Sequence, residues 1–229
     1  SARPAPARPC QEEQFLAGSH VNAAGRRDYK LFVPAGGAGQ QPAGLLVMLH
    51  GCTQNPDDFA AGTQMNALAR AHGLLVLYPA QTQQGNAQGC WNWFKHNHQT
   101  RERGEPAILA GMTREIAARY GVPAGRIFIA GLSAGGAMAA IMGAAYPELF
   151  AAVGVHSGLA AGAARDLPGA LAAMKGAGAG QQGLIASTRP TIVFHGDADG
   201  TVHQGNGDQV VAASCQGAMT VEQQQRVGG

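Results

Sequence analysis

Short apolar runs recur along this chain, and the stretches between them carry helical spacing. The runs are LLVMLHG (45–51), LLVLYP (74–79), RIFIAG (126–131), FAAVGVHSG (150–158) and TIVFHG (191–196). The central ones are nearly continuous in apolar residues, as strands buried on both faces are. DYKLFVP (28–34) reads as a further strand, ended by Pro34. Over Asp57 to His72, the residues Phe59, Ala60, Met65, Leu68 and Ala69 recur at helical spacing, and Gly73 supplies the stop. Residues 106–120, 135–146 and 206–216 also read as helices. Strands alternating with helices predict an α/β fold, a mostly parallel sheet with helices on both faces. In such a sheet ligands bind beyond the carboxyl ends of the strands. Chemistry is therefore to be sought just after each run.

The 229 residues suit one domain of the larger kind. The opening SARPAPARPC makes residues 1–27 a flexible lead-in, with the domain over 28–229. A net charge of +2 points to neither nucleic acid nor a membrane surface as partner. No run reaches the ~18 apolar residues of a membrane span. GGAG (36–39) reads only as a loop, no phosphate-loop motif is present, and no cofactor is expected. His96 and His98 form an H-x-H with no third ligand in view, so no metal is expected either. The polar loop over 80–105 is long for a plain connection and marks a functional segment. A Gly/Ala-rich stretch covers roughly 160–183. Cys10, Cys52, Cys90 and Cys215 include no Cys-x-x-Cys; they are buried thiols or disulfides, and four cysteines allow three pairings.

Three features pass the geometric filter. The first is GLSAGG (131–136), in which Ser133 sits between a strand and a helix in a G-x-S-x-G pattern. That pattern alone is weak in a chain with 34 glycines, but its strand–turn–helix context is the one a nucleophile turn requires. The glycines relieve crowding beside a strained serine, and the helix amides point to where negative charge develops. The second is LHGCTQ (49–54), at the end of an earlier strand. Acyl transfer needs two N–H groups facing the carbonyl oxygen; Cys52 and Ala134, the residue after the serine, are the candidates. His50 then serves the turn rather than acting as a base. The third is HGDADGTVH (194–203), which offers an acid to orient a histidine. Asp199, in the loop proper, is preferred to Asp197, which is close enough to Gly196 to serve its own turn.

The strings LHGCTQ, YPAQ, CWNWF, GLSAGGAM and HGDADGTV, in this order, resemble the poly(3-hydroxybutyrate) depolymerase family of esterases. They extend over most of the chain, from Tyr29 to Val211. The resemblance implies an α/β-hydrolase that cleaves esters of 3-hydroxyalkanoate chains or related esters, outside the cytoplasm in a secreted or periplasmic setting. It implies Ser133 as nucleophile, Asp199 as acid, and the amides of Cys52 and Ala134 as oxyanion hole. CWNWF (90–94) would flank the substrate groove. If that segment is extended, one tryptophan points in and one out, and Trp91, beside Cys90, is favoured for the groove over a plain core role. The resemblance also implies a Cys52–Cys90 disulfide, which leaves Cys10 and Cys215.

The histidine is harder to place. His203 is the one histidine after Asp199 and lies four residues on, too close to reach the serine from the far side of the acid. The family's histidine lies farther downstream, so the chain is expected to lack its C-terminal strand and helix and, with them, its base. His156 and His195, each at a strand end, are read as supporting residues. Three functions follow as expectations: a polyester-type serine esterase, a feruloyl or acetyl esterase on plant polysaccharide, or a hydrolase-like binding protein without turnover.

Overall fold

A computed structural model describes residues 11–36, 40–177, 184–215, 222 and 224. Its centre is a seven-stranded sheet. The five central runs become β3 (Gly44–Leu49), β4 (Leu74–Pro79), β5 (Ile127–Leu132), β6 (Ala152–His156) and β7 (Thr191–Phe194). These run parallel to one another, as the expected α/β architecture requires. The hairpin of β1 (Gln14–Asn22) and β2 (Gly25–Val33) completes the sheet, with β2 antiparallel to β4. The spatial order is β1-β2-β4-β3-β5-β6-β7. From β3 the chain steps outward to β4, then crosses back to place β5 on the other side of β3. In open α/β sheets such a reversal marks where ligands bind, beyond the carboxyl ends of the strands, here β3 and β5.

The expected flexible lead-in over 1–27 is corrected from Gln14 onward, where the chain is an edge strand. QFLAGSHVN is mostly exposed, so burial imposes no apolar period on it. It is tied down by its antiparallel ladder to β2 and by single side-chain contacts. The Phe15 ring stands edge-on to Tyr78 at 5.9 Å, and His20 Nδ1 meets Glu115 Oε2 at 2.5 Å.

The helix expected over 57–72 is two helices, α1 (Pro56–Thr63) and α2 (Met65–His72). They part at Gln64, which takes a left-handed conformation (φ 52°). The Asn55 side chain accepts the Asp58 N–H at 2.9 Å and Pro56 opens the first turn, which starts α1. Gly73, at φ 65°, stops α2 as expected. The remaining helices are α3 (Gly104–Tyr120), α4 (Ala134–Ala145), α5 (Leu167–Met174) and α6 (Gly205–Ser214). Of these, α5 arises within the Gly/Ala-rich stretch; its signal is the cap, Asp166 Oδ1 accepting the Gly169 N–H at 2.8 Å.

Two cores flank the sheet. Leu31, Val47, Leu77, Ile129 and Val155 face α3, α4, α5 and α6. Phe32, Met48, Val76 and Tyr78 face α1 and α2. The second layer covers only the β2-β4-β3 side. On the same sheet face, Ile192 and Phe194 of β7 are 57% and 53% exposed. Cys10, residues 178–183 of the Gly/Ala-rich stretch, and most of the polar ending VEQQQRVGG lie outside the described residues. Cys215 is a free, half-buried thiol. No described helix is long and apolar enough to cross a membrane.

Candidate functional site

Ser133 joins β5 to α4 with φ 56° and ψ −118°, a conformation that costs an L-residue about 1–3 kcal/mol. The surrounding glycines are sterically obligatory. A Cβ on Gly131 would lie 2.2 Å from Gly135 O, and one on Gly135 would lie 2.1 Å from Leu49 O. Gly136 is less tight, with a Cβ there 3.0 Å from Gly131 O. The first turn of α4 is thus pressed against the end of β3. The Ser133 N–H donates to His156 O at 2.9 Å, which fastens the turn to β6. Ala134 is the first residue of α4, so its N–H has no acceptor within the helix.

Close packing of Gly135 on Leu49 and His50 brings the loop after β3 to the same place. That loop is held from several directions. The Gly51 N–H donates to Gln54 Oε1 at 2.8 Å, and the Thr53 N–H donates to Gln88 O at 2.9 Å. The Cys52–Cys90 disulfide is present. His50 is buried; its Nδ1–H donates to Gly51 O at 2.7 Å, and its Nε2 accepts the Gln81 N–H at 3.1 Å. Both ring nitrogens are engaged, in agreement with the structural role expected of His50. Desolvation holds its pKa below the ordinary histidine value of 6.5, against the opposing Gly51 carbonyl. Thr53, Ser133 and Ser157 all have positive φ, at 62°, 56° and 50°. They follow β3, β5 and β6, so backbone strain collects at one end of the sheet.

Trp91 does not line a groove. It is fully buried, with its ring 5.5 Å from that of His50, and Trp93 is buried too. The in-and-out alternation fails because residues 90–92 form no strand and the chain turns at Trp93 and Phe94. The missed residue behind this turn is Glu105, fully buried at the start of α3. Its Oε2 accepts the Asn92 N–H at 2.7 Å and its Oε1 accepts Asn92 Nδ2 at 2.7 Å. Gln81 Nε2 also donates to Oε1, and Arg27 approaches it at 3.3 Å. One acidic residue after a long polar loop carries no pattern that separates it from a solvated one.

Asp199 lies beyond β7 in a self-closed turn. Its Oδ1 accepts the N–H groups of Thr201 and Val202, each at 2.9 Å. Its carboxyl is held below the ordinary value of 3.8, chiefly by the Val202 N–H, with Thr201, His195 and the Ser157 hydroxyl acting the same way against desolvation. His195 steadies the turn: Nε2 lies 2.8 Å from Val202 O and 3.6 Å from Asp199 Oδ2. His156 is exposed, with Nδ1 3.0 Å from Ser157 Oγ and its ring stacked on Phe194 at 6.1 Å. His203 precedes α6 and donates its N–H to Met174 O at 2.7 Å. The eight histidines are all among the described residues, and none hydrogen-bonds the Ser133 hydroxyl. The structure thus brings Ser133, Ala134 and the Cys52 loop together, and sets Asp199 two strands away from Ser133. Among the described residues, no cluster of three or more His, Cys, Asp or Glu could hold a metal ion.

A family model described as "Esterase PHB depolymerase" matches residues 27–228. The chain belongs to the esterase PHB depolymerase family. Among relatives, poly(3-hydroxyalkanoate) depolymerase C of Paucimonas lemoignei is 30% identical over 191 residues, 78% of this chain and 45% of that protein. Acetylxylan esterase A of Aspergillus awamori is 32% identical over 120 residues, 52% of this chain and 38% of that protein. Feruloyl esterase B of Neurospora crassa is 32% identical over 129 residues, 54% of this chain and 43% of that protein. The matched regions thus span less than half of these relatives. Among solved structures, an acetyl xylan esterase from Aspergillus awamori superposes with a TM-score of 0.70 at 23% identity, covering 86% of this chain and 76% of that one. That likeness places the chain in the α/β-hydrolase fold expected of its family.

Proposed function

We propose that this chain is a serine esterase active on polyester or related carboxylic esters, with Ser133 as its nucleophile. The observation that carries the reading is the strained Ser133, set at the sheet's reversal point between glycines that admit no side chain. Ser133 Oγ attacks the ester carbonyl and the alcohol leaves. Water then hydrolyses the acyl-enzyme. The amides of Ala134 and Cys52 receive the developing oxyanion; one such donor is typically worth about 3–4 kcal/mol. Asp199, whose Oδ1 accepts two amides, is the acid of the site. A polyester is favoured because the match to the depolymerase covers 78% of this chain, against 52% for the acetylxylan esterase. The second reading, an acetyl or feruloyl esterase, draws on the like level of identity to those relatives. The disulfide supports an oxidising, secreted or periplasmic setting.

No histidine hydrogen-bonds Ser133 here, and loss of a triad member leaves only a small residue of the rate, ~10³–10⁴-fold over water. The test is therefore hydrolysis of p-nitrophenyl acetate by wild type and Ser133→Ala, with and without added imidazole. A slow rate that needs Ser133 and rises with imidazole is expected. Equal rates in the two proteins under both conditions sink the proposal. Parallel assays on hydroxybutyrate oligomers, acetylated xylan and methyl ferulate then rank the substrate classes.

A further inference from the structure

The oxyanion reading assigns a task to the Cys52 amide, and that amide sits on a loop rather than on a strand or helix. A donor for a developing charge must be held to a fraction of an ångström before the reaction begins. The disulfide and the Gly51–Gln54 and Thr53–Gln88 hydrogen bonds hold the loop locally, and a further set of groups ties it to the start of α3. The fixing groups form a continuous chain of hydrogen bonds that ends on a buried carboxylate.

Starting from the loop, Gly51 O accepts from His50 Nδ1–H at 2.7 Å. His50 Nε2 accepts the Gln81 N–H at 3.1 Å, so the ring is held as the Nδ1–H tautomer. Gln81 is immobilised by its own side chain. Its Oε1 accepts from Arg27 Nε and from the Thr82 N–H, both at 2.9 Å. Its Nε2 donates to Cys90 O at 3.0 Å and to Glu105 Oε1. Glu105 in turn holds Asn92 through backbone and side chain, which fixes the turn that presents Cys90 and Trp91. The Trp91 ring then packs on His50. Two routes therefore run from one carboxylate to the residues flanking Cys52, one through Gln81 and His50 and one through Asn92, Cys90 and the disulfide.

A carboxylate with no exposed surface is an expensive way merely to fill space, since well-packed apolar side chains of similar volume are often as stable or more so. What a charge offers instead is several strong acceptor sites of fixed direction. Its placement in the first turn of α3 adds the favourable end of the helix dipole. We propose that Glu105 is a positioning residue for the oxyanion loop, acting through Gln81 and His50. It touches no reacting atom. The inference rests on the proposed role of the Cys52 amide and extends it to a residue that lies outside the five family strings.

The test uses Glu105→Gln, which places an amide donor among the donors of Gln81, Asn92 and Arg27, and Gln81→Met, which keeps the backbone N–H that reaches His50 but removes the side-chain amide that fixes its position against Glu105. Two readouts are taken on folded protein. Imidazole nitrogen NMR reports the His50 tautomer, and steady-state kinetics with p-nitrophenyl acetate, in the presence of imidazole, report kcat and KM. Wild type is expected to show a protonated Nδ1 and a bare Nε2 at His50. Each variant is expected to lose that pattern and to drop kcat by about 10- to 100-fold, somewhat less than loss of an oxyanion donor itself (~10²–10³-fold), with KM within about twofold. An unchanged His50 pattern in Gln81→Met overturns the relay. Lower melting temperatures with kcat per folded molecule unchanged within about twofold overturn it too, and leave Glu105 a folding residue. If wild type shows no Ser133-dependent turnover, the proposed function fails, and the His50 spectra alone decide the relay.

Discussion

Replacing Gly135 with alanine tests the steric logic of the serine turn. The added Cβ would sit 2.1 Å from Leu49 O and 2.5 Å from His50 O. Both are backbone atoms, one in a central strand and one just beyond it, so no side chain can rotate away. Restoring contact distance requires α4 to retreat from β3 by about 1 Å in a close-packed interior. Overpacking typically costs about 1–3 kcal/mol where side chains yield, so a cost of roughly 3 kcal/mol is expected where backbone must. In a domain of this size that lowers the melting temperature by roughly 6–12 °C. Catalysis should fall further, because α4 carries Ala134, and a displacement of that order costs about 10²-fold in rate. Gly62 is the control. It lies in α1 with nothing within 4 Å of its Cβ position, so Gly62→Ala should stabilise by about 0.4–1 kcal/mol. Urea unfolding of both variants supplies the comparison. A Gly135→Ala protein within 1 kcal/mol of wild type would refute the claim that the turn has no room for a methyl group.

The Cys52–Cys90 bond closes 38 residues of sequence and on the chain-entropy model stabilises by about 4 kcal/mol; Cys52→Ala/Cys90→Ala should unfold at correspondingly lower urea, and an unchanged midpoint would count against the loop's dependence on it. Acid should weaken the fold in two windows. His50 and His98 are held below 6.5, chiefly by desolvation, so the unfolded chain binds protons first and stability declines as pH falls from about 6.5 toward their folded values. The Asp199 carboxyl, held below 3.8, contributes stability that is lost only at more acidic pH. Urea midpoints that stay level between pH 7 and 5, or rise on acidification, would contradict the histidine assignment.

The central parallel strands were legible because burial on both faces forces unbroken apolar runs, as in LLVMLHG and LLVLYP. The serine turn was legible because its steric demand falls on residue type, and Gly131 and Gly135 record it. The edge strand β1 was not, since one mostly exposed strand needs no repeating pattern. The break at Gln64 was not either, because a left-handed residue other than glycine leaves no mark in composition. Trp91 misled for a related reason: its burial depends on a turn held through Asn92 by Glu105, thirteen residues after Asn92. Contacts of that kind are fixed by the tertiary structure and have no spacing to read.

The central claim is that Ser133 is a nucleophile, and covalent capture tests it most directly. The protein is incubated with a fluorophosphonate and imidazole, and the adduct is mapped by peptide mass spectrometry. One phosphonyl group per chain is expected, on Ser133 and absent from Ser133→Ala. An adduct on another residue, or none at saturating reagent with the fold intact, would contradict the claim.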